Sequence, residues 1–186
     1  LWTFAALAAV YFGFIGYFNP YLPLWLKELG FGSLAIGLLT AVQSLTRVIA
    51  PYSWGWLSDH TGRRTLLMRW AATLGLASSL GLLLMPQWVS PTVGVVGVVL
   101  FLMFFNTSAM MPMAEAALAQ RVTSQAGLDV NRYGRVRVWG SVGFIVSVVG
   151  LGYLLQWLPL RHYPWLLLVI MAGILLASLW VPDVRQ

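Results

Sequence analysis

Gly55-Trp56-Leu57-Ser58-Asp59-His60-Thr61-Gly62-Arg63-Arg64 reads as a loop between two long apolar runs, and its neighbourhood decides the fold. Gly55 and Gly62 permit close backbone approach and a tight turn. Asp59 can engage basic groups or the positive end of a neighbouring helix. Arg63 and Arg64 place charge at the mouth of the second run. The runs on either side, Ser33–Leu57 and Thr65–Met85, each reach the roughly 20 apolar residues that a helix needs to cross about 30 Å of hydrocarbon. Four further stretches qualify: Trp2–Leu26, Thr92–Gln120, Val136–Gln156 and Tyr163–Val181. Breakers such as Pro86, Ser90-Pro91 and Pro159 mark the short connections between them.

Composition agrees. With 60% hydrophobic and 9% charged residues, and a mean hydropathy of +0.81, the chain is too apolar for a water-soluble domain. The absence of cysteine says little about redox chemistry in a membrane-embedded chain. The first apolar stretch has no basic leader and no small-residue cleavage site, so no cleavable signal peptide is expected. A start at Leu1 rather than Met suggests a trimmed or fragmentary chain.

Charge predicts the orientation. Arg63, Arg64 and Arg69 follow the second stretch, Arg121, Arg132, Arg135 and Arg137 lie between the fourth and fifth, and Arg185 follows the sixth. The opposite side holds only Lys27 and Arg161. The positive-inside rule then puts both ends of the chain in the cytoplasm. A sequence pI near 10.2 could suggest a nucleic-acid partner, but these arginines alternate with apolar spans, so nucleic acid is excluded. The ten tryptophans fall near predicted helix ends, where amphipathic rings prefer the lipid–water interface.

Two sets of polar groups do not belong in lipid. Arg47 sits ten residues before Leu57, about 15 Å from that end of its helix, and a guanidinium near mid-bilayer costs at least about 2.5–3.5 kcal/mol. Thr40, Gln43, Ser44 and Arg47 form a polar stripe at i, i+3, i+4 and i+7. Glu115 is the one acidic residue within a predicted span; Thr107, Ser108 and Met111 are expected on its side of the helix. Arg137 is the expected countercharge, with Ser141 one turn further on. Each group could instead serve a purely structural ion pair or backbone contact. Asn19-Pro20 and Pro23 in the first stretch and Pro112 in the fourth interrupt corresponding helices, as expected of helices that line a transport path, and Asn19 is taken as a lining residue. Gly134, Gly140, Gly143, Gly150 and Gly152 suggest a closely packed helix face. Neither H-E-x-x-H nor G-x-S-x-G occurs, and His60 and His162 are expected in loops without partners. No enzyme activity is expected.

The spaced pattern G-x-L-x-D-x-x-G-R-R between the second and third spans resembles the signature of the major facilitator superfamily of transporters. That resemblance implies an all-α membrane fold with residues 1–186 as its first six-helix bundle, made of two inverted three-helix repeats. It also implies a second six-helix half beyond this chain. Gly55, Asp59, Gly62, Arg63 and Arg64 would then belong to a latch between the halves. Within the superfamily, Pro20-Tyr21-Leu22-Pro23-Leu24-Trp25-Leu26, Met111-Pro112-Met113-Ala114-Glu115-Ala116 and Tyr133–Phe144 resemble the lactose permease and phenylpropionate transporter group. In the lactose permeases the positions matching Glu115 and Arg137 form the charged pair that holds the sugar. An arginine at the position of Arg47 is a feature of the phenylpropionate transporters and tilts the resemblance toward a carboxylate substrate. Proton-coupled import across the inner membrane is the expectation. A sugar or nucleoside symporter, drug efflux and a non-transporting six-helix scaffold are the alternatives. No cofactor is expected; the lipid bilayer and a small-molecule substrate are the expected partners.

Overall fold

The computed structural model describes residues 1–88, 90–124 and 127–182. Seven α-helices run as α1 (Trp2–Glu28), α2 (Ser33–Thr61), α3 (Arg64–Trp88), α4 (Val93–Ser108), α5 (Met110–Val122), α6 (Val130–Trp157) and α7 (Tyr163–Trp180). A short 3₁₀ turn, Leu160–His162, precedes α7. With α4 and α5 taken as one crossing, six helical segments are long and apolar enough to cross a membrane. The expected all-α six-span bundle is therefore observed, with one addition: Thr123–Ser124 and Gly127–Leu128 form a two-residue antiparallel pair before α6.

The packing shows the repeat. α1 lies against α6 as α4 lies against α2, α1 against α7 as α4 against α3, and α3 against α7. Exchanging the first three spans for the last three, in order, maps this set of contacts onto itself. α1 is the most buried span, whereas α2 and α6 are the most open. The core between them is aromatic and aliphatic: Phe14, Phe18, Leu100, Phe104 and Met171 are all buried.

The α1–α6 seam explains most of the expected glycines. A Cβ on Gly143 would collide with the Ala9 carbonyl, one on Gly140 would lie 2.6 Å from the Phe12 ring, and one on Gly152 would strike the Tyr21 hydroxyl. Only glycine lets these backbones approach so closely. Ser147 Oγ donates to the Gly13 carbonyl (2.6 Å) and Tyr21 Oη to the Val148 carbonyl (2.8 Å), so the seam is hydrogen-bonded as well. Gly134 and Gly150 meet nothing within 4 Å and take no part.

Several expectations are corrected. The Gly55–Thr61 segment is not a loop: α2 continues through it and ends at Gly62, whose φ of 63° supplies the left-handed cap. The four polar residues Ser58–Thr61 remain helical, so hydropathy placed the end too early. The fourth span is not one helix. Pro112 has no N–H for the Ser108 carbonyl and its ring crowds that turn; α4 accordingly stops at Ser108 and α5 starts at Met110. α1, by contrast, runs unbroken through Pro20 and Pro23. Two tryptophans leave the interface for the core. Trp25 stacks on Tyr163 at 5.4 Å, and Trp54 Nε1 donates to the Phe105 carbonyl (3.2 Å). Trp2, Trp56, Trp70, Trp139, Trp157, Trp165 and Trp180 are exposed; the Trp88 side chain and Arg185 lie outside the described residues.

Candidate functional site: charged groups within the spans and a helix-end ion pair

Arg47 is the central residue of α2, with fourteen helical residues on either side. The residue is exposed, and Pro51, four residues on, deprives the Arg47 carbonyl of its helical donor. Arg47 has no carboxylate partner among the described residues. On the same stripe Gln43 Nε2 donates to Asn19 Oδ1 of α1 (3.0 Å), which ties the two helices at that level. Thr40 turns its hydroxyl back to the Ile36 and Gly37 carbonyls of its own helix (2.9 and 3.0 Å).

Glu115 of α5 and Arg137 of α6 form a hydrogen-bonded ion pair, as their sequence suggested. The carboxylate side chain is 29% exposed and the guanidinium 55%, so the pair opens onto free space rather than being sealed in the core. Tyr133, one turn before Arg137, interacts with the same guanidinium. Beside the pair, Phe12, Arg137, Ser141, Phe144 and Ile145 line a recess of about 300 Å³.

Tyr11 joins the two charged sets. Buried on α1, it stands within electrostatic reach of both Arg47 and Glu115. Sequence reading passed it over, because a tyrosine among apolar neighbours looks like core. The structure does not bring Thr107 to this site. Thr107 is fully buried, bonds the Met103 carbonyl (2.9 Å) and lies against Gly75 of α3. The break at Ala109 cancels the helical register that was to align it with Glu115.

At the end of α2, Asp59 pairs with Arg64 across the Gly62 turn (3.5 Å), and Arg63 is exposed. Gly62 needs its positive φ, but a Cβ on Gly55 would meet nothing within 4 Å. Close backbone approach at Gly55 therefore does not occur within this bundle. The histidines are also partnered, contrary to expectation. His60 lies in the last turn of α2 with Nδ1 2.8 Å from the Trp56 carbonyl and its ring 4.2 Å from the Trp56 ring. His162 Nδ1 lies 3.2 Å from the Pro159 carbonyl. Arg69 Nη2 donates to the Val181 carbonyl (3.0 Å) and so covers the end of α7.

Comparison with known proteins bears on the family of the chain. The family model described as "MFS_1 like family" matches residues 1–186. The chain is 27% identical over 146 residues to "Maltose permease" of Geobacillus stearothermophilus, covering 78% of this chain and 34% of that protein. It is 30% identical over 177 residues to "Probable 3-phenylpropionic acid transporter" of Escherichia coli (strain K12), covering 94% of this chain and 44% of that protein. The chain thus spans less than half the length of either curated relative.

Proposed function

The chain belongs to the MFS_1-like family, a transporter rather than an enzyme family, and on that premise we propose that it is the first half of a secondary transporter for a small organic carboxylate. One observation carries the reading. Within its spans the bundle presents two guanidiniums, Arg47 and Arg137, against one carboxylate, Glu115. The Glu115–Arg137 pair satisfies itself. Arg47 then needs an anion in a low-dielectric setting, and a substrate carboxylate is the group that matches its planar fork. Similarity to the probable 3-phenylpropionic acid transporter supports an acid. Tyr11 and the Asn19–Gln43 link would hold the substrate's remaining polar groups, and Phe12 and Phe144 would border its apolar body. A second six-helix half would cover the open faces of α2 and α6, with the end of α2 as the latch between halves. Import coupled to protons across the inner membrane completes the proposal. A sugar is the second reading, favoured by the self-contained Glu115–Arg137 pair and by the maltose permease relative.

Titration of the full-length protein with a carboxylate and with its amide separates the two. Arg47→Gln should weaken carboxylate binding by at least about tenfold and leave the amide nearly unaffected. Arg47→Lys should restore only part of the loss, because an ammonium lacks the fork. Equal losses for both ligands would make Arg47 structural and leave the sugar reading ahead.

A further inference from the structure

The N-terminal ends of α1 and α6 lie side by side, and a cleft of about 750 Å³ opens between them. Arg132, Arg135, Val138, Trp139 and Val142 of α6 line it, with Trp2 of α1 opposite. The Trp2 and Trp139 rings meet at 5.9 Å. Arg132 rests 3.2 Å from the Asp129 carboxylate, which also caps α6 by accepting from the Arg132 N–H (3.0 Å). Arg135 is exposed and has no anionic partner among the described residues. Two guanidiniums and the positive pole of α6 therefore stand against one carboxylate, and the cleft remains electropositive.

The order of groups along α6 is informative. Arginines come first, then the tryptophan pair, then an exposed aliphatic strip through Val138, Val142, Val146 and Val149. A lipid leaflet presents the complementary order, phosphate, interface and acyl chain. The cleft is also separate from the Glu115–Arg137 site. Arg137, Ser141 and Phe144 occupy another flank of α6, nearly half a turn away at 100° per residue.

We propose that this cleft binds the headgroup of an anionic phospholipid, with its phosphate on Arg132 and Arg135, its glycerol level at the tryptophan pair and an acyl chain along the valine strip. Native mass spectrometry of the full-length protein tests it, using micelles that contain equal amounts of phosphatidylglycerol and phosphatidylcholine with identical acyl chains. The protein should retain phosphatidylglycerol over phosphatidylcholine by about tenfold, as two basic side chains at a bilayer surface warrant. The double variant Arg132→Gln/Arg135→Gln should bring the two lipids near parity. Arg121→Gln, which removes a charge from α5 outside the cleft, should keep the preference. If the double variant does not fold, Arg135→Gln alone, at an exposed and unpaired position, should reduce the preference by about threefold. No preference in the unmodified protein, an unchanged preference in the cleft variants, or an equal loss with Arg121→Gln would each overturn the assignment. The first of these would mean that another protein segment covers the cleft, and the last that a diffuse surface charge is at work.

Discussion

Tyr11 carries one hydroxyl into a helix face otherwise lined with hydrocarbon, and that hydroxyl lies within electrostatic reach of both Arg47 and Glu115. A hydroxyl there can donate to a carboxylate and accept from a guanidinium, so it can follow whichever charge the substrate engages. A hydrogen bond to a charged group is worth about 1.5–3 kcal/mol, so Tyr11→Phe should weaken substrate binding about tenfold or more in calorimetric titration. The ring's packing, and hence the yield of folded protein, should not change. The Glu115–Arg137 pair makes a different prediction. Both side chains are partly exposed, so removing one partner should cost less than the roughly 3–5 kcal/mol of a fully buried pair. Both variants should therefore still insert and purify, and if the pair holds the substrate, as in the sugar reading, Glu115→Gln and Arg137→Lys should each abolish substrate binding. Loss of folded protein in both variants would make the pair structural.

At the scale of elements, the α1–α6 seam limits how these groups can be placed, because Phe12 and Arg137 line one recess from its two sides. Gly143→Val would drive a side chain into the Ala9 carbonyl, and backbone cannot yield as a rotamer can. Overpacking costs about 1–3 kcal/mol and sometimes more, so this variant should lower the unfolding temperature in a thermal-shift assay. Gly150→Val, on the same helix but facing open space, should be tolerated. The glycine run was legible as a packing face, yet sequence alone could not separate Gly143 from Gly150. The spans were legible because hydropathy over some twenty residues far exceeds the noise of single positions. Their ends were not, because Ser58–Thr61 stay helical although they are polar. Arg47, Glu115 and Arg137 could be picked out because a charge in an apolar run has few explanations. Tyr11, Trp25 and Trp54 could not, because an amphipathic ring suits core, interface and site alike. Thr107 was misplaced for a further reason: helical spacing holds only while the helix does, and Pro112 had already broken it.

For the whole molecule, packing and charge bear on topology in different ways. The crossings put residues 62–63, 123–124, 127–129 and 181–182 at the same end of the bundle as Leu1. Trp2 against Trp139 and Arg69 against the Val181 carbonyl hold those segments together there. Tyr163 against Tyr17 and Trp25 marks the opposite end. Which end faces the cytoplasm is a matter of charge. Arg63, Arg64, Arg69, Arg121, Arg132 and Arg135 crowd the first end, against Lys27 and Arg161 at the other, and insertion keeps short basic loops inside. Alkaline phosphatase fused after Ser90 or Pro159 should therefore be active, as it is only outside the cytoplasm. Fusions after Arg63 or Arg132 should be inactive. A reversed pattern would turn the bundle over, moving the α1–α6 cleft to the outer leaflet and the Gly62 end of α2 to the outside. A mixed pattern at Ser90 and Pro159 would break the pairing of the two repeats. Because the ends are already tied by contacts within the bundle, the four fusions have two self-consistent outcomes, and the arginines favour the first.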